Sequence, residues 1–262
     1  METISKITQT KLYEDFGTII ENLNIDDIDK KETIDLKALL QKHQLLIVKS
    51  RTLTPKEQVV FSKKFGELET FPFYPTQFKD YPEIFRLSTD IKKGHKNVGF
   101  YWHQDGSFDI KPTPISIFHL IKIPKSGGET LFSNAYKVYD LLPEEMKTIA
   151  EHLKTVHAGG IKHDLVITHP ITGKKAIYIN FGLTHQIYSI NNSKKEDIRA
   201  VIDEIERIIN LPDVMYAHSW EEGDIVVIDN YSVFHQATRV NDDTERTLHR
   251  TTIKGSNTLN DL

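Results

Sequence analysis

The chain has 262 residues, a formal net charge of −4, 39% hydrophobic and 27% charged residues, and no cysteine. This composition excludes a disordered chain, disulfides, thiolate metal sites and iron–sulfur clusters. The interspersed charges form no basic stripe for nucleic acid, and neither a signal peptide nor an apolar run of the ~18 residues that span a bilayer is visible. We therefore expect one domain over residues 1–262, in the cytoplasm, without a nucleic-acid or membrane partner.

Helical signals occur at three places along the chain. The segment Thr54–Glu57 is a capping box with proline at the first helical position, and it predicts a helix that stops at Gly66. A second helix is predicted over residues 143–154. Ser193 and Glu196 form another capping box, and apolar residues then recur at helical spacing at Ile198, Val201, Ile202, Ile205, Ile208 and Ile209.

Short β-rich runs fill most of the remaining chain and do not alternate regularly with helices. This pattern disfavours a doubly wound parallel sheet and favours a mainly β fold with flanking helices, built on a double-stranded β-helix or jelly roll. Such a barrel has an open mouth in which side chains from different strands can converge on one metal. The predicted strands are Leu45 to Val48, Ile115 to Ile123, Ala176 to Asn180, Gly223 to Asp229 and Leu248 to Ile253.

His103 and Asp105 form the first candidate metal motif, because alternate residues of an extended strand point the same way. One such pair is expected by chance in this composition, and a surface histidine beside a solvated aspartate is the simple alternative. The C-terminal stretch FHQATRVNDDTERTLHRTTIKG adds His235, Arg246 and Arg250. Two histidines and one carboxylate leave metal positions open for a chelating 2-oxo acid and for oxygen, and an arginine fork suits its far carboxylate.

Six motifs in the correct order resemble the taurine dioxygenase family of iron(II)/2-oxoglutarate oxygenases, from about Phe61 to Gly255. They are FGELETFPFYP, WHQDGSF, PKSGGETLFSN, THPITGKKAIYIN, WEEGDIVVIDN and HQATR with RTLHRTTIKG. The resemblance implies an enzyme that takes Fe(2+), with 2-oxoglutarate and O2 as co-substrates, and that releases succinate and CO2. It also implies the role of each matching residue.

By this resemblance His103, Asp105 and His235 are the iron ligands and carry the catalysis. Thr130 and Arg246 bind the distal carboxylate of 2-oxoglutarate, and Arg250 lies near its chelating end or near the substrate. For Thr130 the alternative is a turn threonine bonded to its own backbone, and for Arg250 a surface arginine on a strand. The other nine histidines have no ligand spacing, and scaffold roles are predicted for Trp220, Gly223, Asp224, Asp229 and Asn230.

The chain departs from the taurine enzyme at Phe71, where that enzyme has a histidine that helps to grip the sulfonate. A phenyl ring cannot neutralise a sulfonate, so taurine is a doubtful substrate. Aromatic residues cluster in the segments with which the family lines its substrate site, namely Phe71, Phe73, Tyr74, Phe100 and Tyr101. The predicted substrate site comprises Phe71, Tyr74, Tyr101, Gly106 and Arg250.

An aromatic wall with one arginine suits a small carboxylate with an apolar or aromatic body. We expect hydroxylation or desaturation of such a molecule, such as an amino-acid or isonitrile derivative of a natural-product pathway. Three alternatives stay open: a taurine or alkylsulfonate dioxygenase, a zinc-dependent hydrolase on the same three ligands, and a non-catalytic jelly-roll binding protein. A homo-oligomer is compatible with the sequence, which does not specify the oligomeric state.

Overall fold

A computed structural model describes residues 8–72, 77–240 and 244–256. Within these ranges the helices are α1 (Lys30–His43), α2 (Pro55–Lys63), α3 (Ala135–Asp140), α4 (Glu144–Ala150) and α5 (Lys195–Ile209). The strands are β1 (Thr8–Lys11), β2 (Thr18–Glu21), β3 (Leu45–Val48), β4 (Phe85–Ser88), β5 (Ile115–Lys122), β6 (Thr130–Asn134), β7 (Leu153–His157), β8 (Lys162–Asp164), β9 (Val166–Thr168), β10 (Lys175–Ile177), β11 (Thr184–Ser189), β12 (Met215–His218), β13 (Ile225–Asp229), β14 (Val233–Ala237) and β15 (Thr247–Thr252).

Two facing sheets form the centre of the fold. The larger has seven strands in the order β1-β2-β3-β13-β5-β15-β4, and the smaller has three in the order β12-β6-β14. All their pairings are antiparallel except that of β2 with β3. Phe118 and Leu248 of the large sheet pack in one buried cluster with Phe132 and Val233 of the small sheet. The predicted double-stranded β-helix with flanking helices is confirmed.

The central strand β13 explains why part of the sequence is continuously apolar. All five of its residues are buried, and it pairs with β3 on one side and β5 on the other. Val226 and Ile228 belong to the core between the sheets, whereas Ile225 and Val227 belong to the core that also holds residues of α1 and α2. Both faces of the strand are therefore covered, which removes the apolar–polar alternation of a half-exposed strand.

The predicted helices are present with corrected ends. The capping box of Thr54 and Glu57 is confirmed, but α2 ends at Lys63 rather than at Gly66. The capping box predicted at Ser193 is wrong, because Lys194 is the N-cap of α5 and the Ser193 hydroxyl donates to Asn191. The helix predicted over residues 143–154 is shorter, since α4 ends at Ala150 and the chain enters β7.

The five predicted strands are all present, with ends that differ by up to three residues. The strand predicted over Ala176 to Asn180 differs most, because it runs from Lys175 to Ile177. Among the helices that the structure describes, none has both the length and the apolar character needed to cross a bilayer. The extent of the domain, residues 1–262, and the oligomeric state stay predictions.

Candidate metal centre and adjoining cavity

His103, Asp105 and His235 come together at one end of the space between the two sheets. Each offers a ligand atom, these atoms lie within 4.8 Å of one another, and all three residues are buried. In the part of the chain that the structure describes, this is the only such group of three or more potential metal ligands. The predicted ligand set therefore meets in space although His235 lies far along the chain from the other two.

Backbone pairing holds the two histidines side by side. The His103 N–H donates to the His235 carbonyl at 3.1 Å, and the His235 N–H donates to the His103 carbonyl at 2.9 Å. The two rings consequently lie with their centroids 4.0 Å apart. His103 makes only this isolated bridge and Asp105 begins a turn, so the predicted extended strand through both residues is wrong. The bridge to β14 brings the ligands together instead.

The Asp105 carboxylate is held on both of its oxygens. Ser116 donates to Oδ2 at 2.7 Å, and Arg250 donates from Nη1 to Oδ1 at 2.5 Å. Burial raises the pKa of the Asp105 carboxyl, but the Arg250 charge, the two histidines and the Ser116 hydrogen bond outweigh it and leave the pKa at about 2. The carboxylate is therefore ionised at every pH at which the protein would be studied.

The two imidazoles present their Nε2 atoms to this carboxylate. His103 donates its Nδ1–H to the Tyr101 carbonyl at 2.8 Å, and because a carbonyl can only accept, the His103 Nε2 keeps its lone pair. Burial is the largest cause of the lowered pKa of both histidines, so both are neutral at pH 7. The buried Nδ1 of His235 has no hydrogen-bond partner among the described residues.

This donor set fits a divalent transition metal. The Nε2 atoms of His103 and His235 lie 3.8 and 3.7 Å from the Asp105 carboxylate oxygens. These separations are too long for hydrogen bonds, so the three side chains converge without bonding to one another. Two neutral imidazoles and one carboxylate are the facial ligand set of non-haem iron(II) oxygenases. The residues present therefore fit iron(II).

A cavity of about 440 Å³ opens from the metal centre. Its wall includes both histidines and the three residues predicted to bind 2-oxoglutarate, Thr130, Arg246 and Arg250. Apolar side chains complete the wall near them, among them Phe118 and Leu248. The cavity thus joins a metal centre, two fixed cations and an apolar surface, which is the composition of a small-molecule site.

Arg246 is anchored deep in this cavity. Its Nε donates to the Gly128 carbonyl at 2.9 Å and its Nη2 donates to Thr130 Oγ1 at 3.2 Å. Gly128 has a φ of +80°, and a Cβ atom there would lie 2.9 Å from the Arg246 Cδ, so glycine leaves room for the arginine stem. Burial lowers the pKa of Arg246 to about 10 despite the opposing charge of Glu129. The guanidinium is nevertheless charged at neutral pH, in a position suited to an anion.

Arg250 has different surroundings. Its guanidinium carbon lies 4.9 Å from the ring centre of Phe85 and 5.9 Å from that of Phe71, within cation–π range. Phe85 in turn stacks on His95 with centroids 4.5 Å apart. An aromatic cluster therefore supports Arg250 next to Asp105, the predicted metal ligand.

The other predicted substrate residues are placed unequally. Phe71 packs against Phe85, with ring centroids 5.2 Å apart, and both rings lie near the Arg250 guanidinium. Tyr101 lies edge-on to His103, with centroids 5.3 Å apart. Gly106 is not part of the cavity wall, and a Cβ atom there would lie 2.7 Å from Thr113 Oγ1. Tyr74 lies outside the described residues, and the contact of these residues with a substrate stays a prediction.

Two residues predicted to be scaffold have positions of direct consequence for the site. Asn230 accepts the Asp105 N–H at 2.9 Å and donates to the Asp105 and Thr113 carbonyls at 2.7 and 2.8 Å. Trp220 donates its indole N–H to Thr130 Oγ1 at 3.0 Å. The motif WEEGDIVVIDN contains both residues, but nothing in its apolar pattern identifies them as partners of Asp105 and Thr130.

Comparisons with known proteins agree with this geometry. The model of the family "Taurine catabolism dioxygenase TauD, TfdA family" matches residues 4–252. An alpha-ketoglutarate-dependent 2,4-dichlorophenoxyacetate dioxygenase of Burkholderia sp. (strain RASC) is 26% identical over an alignment of 285 residues, gaps included. The alignment covers 95% of this chain and 95% of that protein. A 3-((Z)-2-isocyanoethenyl)-1H-indole synthase of Fischerella ambigua is 26% identical over 257 residues, or 90% of this chain and 91% of that protein.

Two further proteins resemble the chain, one in sequence and one in fold. A Schizosaccharomyces pombe protein named for sulfonate dioxygenation is 24% identical over 254 residues, and the chain spans only 64% of its length. The crystal structure of a taurine dioxygenase from Burkholderia xenovorans superposes with a TM-score of 0.80 and 24% identity, covering 95% of this chain and 91% of that one. This likeness supports the fold assignment.

Proposed function

The chain belongs to the TauD, TfdA family of 2-oxoglutarate-dependent dioxygenases, and from this premise we propose how its site works. Iron(II) is held by His103, Asp105 and His235, and the distal carboxylate of 2-oxoglutarate is bound by Arg246 and Thr130. The primary substrate is a small carboxylate that enters the same cavity and meets Arg250. Hydroxylation and desaturation are both compatible with these residues.

The observation that carries the proposal is the shared cavity. The histidines of the metal centre and the Arg246–Thr130 pair line one space of about 440 Å³. In the described part of the chain no carboxylate lies within salt-bridge distance of Arg246, and the charge of Glu129 acts on its guanidinium only from farther away. Burying a cation without an anion costs free energy, and a carboxylate bound there would offset that cost.

The protein's share of the chemistry is binding and orientation. Bound iron(II), with 2-oxoglutarate and O2, supplies the oxidising power for the C–H bond and yields succinate and CO2. The ionised Asp105 and the two neutral histidines provide the ligand form without having to lose a proton at pH 7. Phe118 and Leu248 keep part of the cavity wall apolar, which reduces the water beside the reacting atoms.

The proposed substrate class follows from Arg250 and the apolar part of the cavity wall. The Arg250 guanidinium, supported by the rings of Phe71 and Phe85, can pair with a carboxylate, while Phe100, Phe118 and Leu248 in the wall favour an apolar or aromatic body. One relative is named for 2,4-dichlorophenoxyacetate, an aromatic carboxylate, and another for an isocyanoethenyl indole. These names support a small aromatic or branched carboxylate, such as an amino-acid or isonitrile derivative.

The rival functions fare differently. The zinc hydrolase and the non-catalytic binding protein are disfavoured by the match of the family model over nearly the whole chain. The zinc hydrolase also leaves the Arg246–Thr130 pair without a role. A sulfonate substrate is disfavoured by Phe71, because a phenyl ring replaces a hydrogen-bonding partner that a buried sulfonate needs.

The proposal is tested by 2-oxoglutarate turnover. Release of labelled CO2 from 1-labelled 2-oxoglutarate should depend on added ferrous iron and should be abolished by a chelator. A screen of amino-acid derivatives should then find at least one carboxylate that raises succinate formation above the uncoupled background. Turnover that zinc supports as well as iron, or that does not consume 2-oxoglutarate, would reject the proposal.

A further inference from the structure

The Thr130 hydroxyl has an unusual set of hydrogen-bond partners. Its oxygen accepts the indole N–H of Trp220 at 3.0 Å and the Nη2–H of Arg246 at 3.2 Å. A hydroxyl has two acceptor lone pairs and one donor hydrogen. Both lone pairs are thus used, and the hydroxyl hydrogen has no acceptor among the described residues. Since Thr130 lines the cavity, that hydrogen is available to a ligand there.

Strand pairing and core packing fix the position of the Trp220 indole beside the Thr130 hydroxyl. The antiparallel pairing of β12 with β6 places His218 opposite Thr130, and the chain then carries Trp220 past the Thr130 side chain. The indole is 5% exposed and belongs to the core between the sheets. The ring of His218 packs edge-on against it, with centroids 4.6 Å apart. An indole N–H can only donate, so Thr130 cannot reverse this hydrogen bond.

The same indole also lies beside the second residue of the co-substrate site. The Arg246 guanidinium carbon is 6.0 Å from the centre of the Trp220 ring, at the limit of a cation–π contact. Trp220 therefore touches both Thr130 and Arg246, although it does not line the cavity as they do. Its influence on a ligand would pass through these two side chains.

We propose that Trp220 is a positioning residue for 2-oxoglutarate, because its indole N–H makes the Thr130 hydroxyl a donor toward the distal carboxylate. This inference rests on the proposed binding of that carboxylate by Arg246 and Thr130. Without the indole N–H, one lone pair of Thr130 is free and the hydroxyl can rotate. The co-substrate would then meet a hydroxyl that is no longer oriented in advance.

The test is a double-mutant cycle on co-substrate binding. Calorimetry without oxygen measures the affinity of the manganese(II)-loaded protein for 2-oxoglutarate, so turnover is not required. Trp220→Phe, which keeps most of the ring volume, should weaken binding by about three- to tenfold, the range of one neutral hydrogen bond. Thr130→Val should weaken it similarly, and Thr130→Ser, which keeps a hydroxyl, should lie near the wild type.

The cycle separates positioning from packing. If Trp220 acts through Thr130, the indole no longer matters once the hydroxyl is gone. The double variant Trp220→Phe/Thr130→Val should then bind 2-oxoglutarate within about twofold of Thr130→Val alone. Tyr216→Phe is the matched control, since Tyr216 packs against the same core and its hydroxyl contacts His218 at 3.5 Å rather than Thr130. That control should bind 2-oxoglutarate as the wild type does. Full additivity of the two substitutions, or wild-type affinity of Trp220→Phe, would overturn the inference.

A second measurement uses the unaltered protein and stands even if Trp220→Phe does not fold. The chain has two tryptophans, so the zinc-loaded protein should give two indole N–H resonances in an NMR spectrum, assigned with Trp102→Phe. Addition of 2-oxoglutarate should shift the Trp220 resonance, because its acceptor then donates to a carboxylate. An unmoved Trp220 resonance on saturation contradicts the inference. By contrast, wild-type 2-oxoglutarate affinity in Arg246→Ala would contradict the proposed binding of the distal carboxylate by Arg246, on which the inference rests.

Discussion

Arg246 directly precedes β15 and Arg250 lies within it, and both line the cavity, yet their surroundings there are built differently. Around Arg246 the contacts are directional: hydrogen bonds to Gly128 and Thr130, with Thr130 fixed in turn by Trp220. Arg250 makes one directional contact, its hydrogen bond to Asp105, and otherwise lies against the rings of Phe85 and Phe71, while its buried Nε has no partner among the described residues.

The difference separates two kinds of recognition. Hydrogen bonds of fixed direction suit a ligand whose shape never changes, which is the case for a co-substrate. Ring faces and one cation accept molecules of several shapes, provided that they carry an anion and an apolar body. Substrate identity should therefore be easy to alter at the Arg250 end and hard to alter at the Arg246 end.

The largest effect on metal binding and turnover is expected from substitutions in the metal centre, which adjoins both the Arg246 and the Arg250 parts of the cavity. Asp105→Ala removes the carboxylate ligand and leaves Arg250 without its anion, so metal binding and succinate formation should fall to background. His103→Ala and His235→Ala should do the same. Metal content after dialysis and ferrous-dependent turnover measure the loss. Asp203→Ala, on the exposed surface of α5, is the control, and wild-type metal affinity in Asp105→Ala would refute the ligand assignment.

The next effect should be confined to the co-substrate end. Arg246→Ala removes a charge-assisted contact worth about 1.5–3 kcal/mol, so the KM for 2-oxoglutarate should rise by about tenfold or more. The metal affinity and the KM for the primary substrate should change little. Arg199→Ala, a surface arginine of α5, serves as the control. An unchanged 2-oxoglutarate KM would move the carboxylate to Arg250 or Arg239.

A smaller effect is expected at the aromatic end. Phe71→Ala removes one ring near the Arg250 guanidinium, and the KM for the primary substrate should rise by about three- to tenfold. The KM for 2-oxoglutarate should stay within twofold, because Phe71 does not contact Arg246 or Thr130. Steady-state kinetics with each substance varied in turn measure the two values. If Phe71→Ala leaves the kinetics of the primary substrate unchanged, the aromatic end does not select it.

Taurine tests the role of Phe71 more directly than the alanine variant does. It should not stimulate succinate formation by the wild type, because a sulfonate that leaves water needs charged or hydrogen-bonding partners. Phe71→His restores one donor, so weak taurine-dependent turnover at most is expected. Succinate formation and taurine consumption should be measured together. Tightly coupled taurine turnover by the wild type would contradict the proposed substrate class.

The smallest effect concerns pH. Burial lowers the pKa of His103 and His235, so each imidazole keeps its neutral, metal-binding form until the pH falls below the lowered value. Two imidazoles with the ordinary pKa of about 6.5 would lose on the order of tenfold in metal affinity between pH 8 and pH 6. Manganese(II) titrations at both pH values should show little change. A tenfold loss at pH 6 would mean that the histidines titrate normally.

The sequence picks out the three residues that converge in the candidate metal centre, because the chemistry that suggests them lies in the side chains themselves. A His-x-Asp pair, a distant histidine and an arginine after it can be read without knowing the fold. The partners of these residues cannot be read in this way. Asn230 bonds Asp105 across 125 residues and Trp220 bonds Thr130 across 90 residues, and only the packing of the two sheets brings these pairs together.

The helices show a similar limit. The helix α1 is not among the predicted helices although Asp29 and Glu32 form a full capping box, because aspartate stands where the usual capping-box pattern has serine or threonine. The helix α3 has six residues and follows β6 directly, so it is too short for a helical pattern to emerge. Ser193 and Glu196 have the spacing of a capping box, but the Ser193 hydroxyl donates to Asn191 in the preceding turn and does not cap α5.

The backbone bridge between His103 and His235 links the metal centre to the order of folding. It joins two points separated by more than half of the described chain, so its closure from the unfolded chain costs the entropy of a long loop unless the strands between them have already paired. The unfolded chain should therefore hold the proposed ligands far apart and have little affinity for the ion, whereas the folded chain should bind it. By mass action the metal should then slow unfolding far more than it speeds folding, and loss of the ion should shorten the lifetime of the native state.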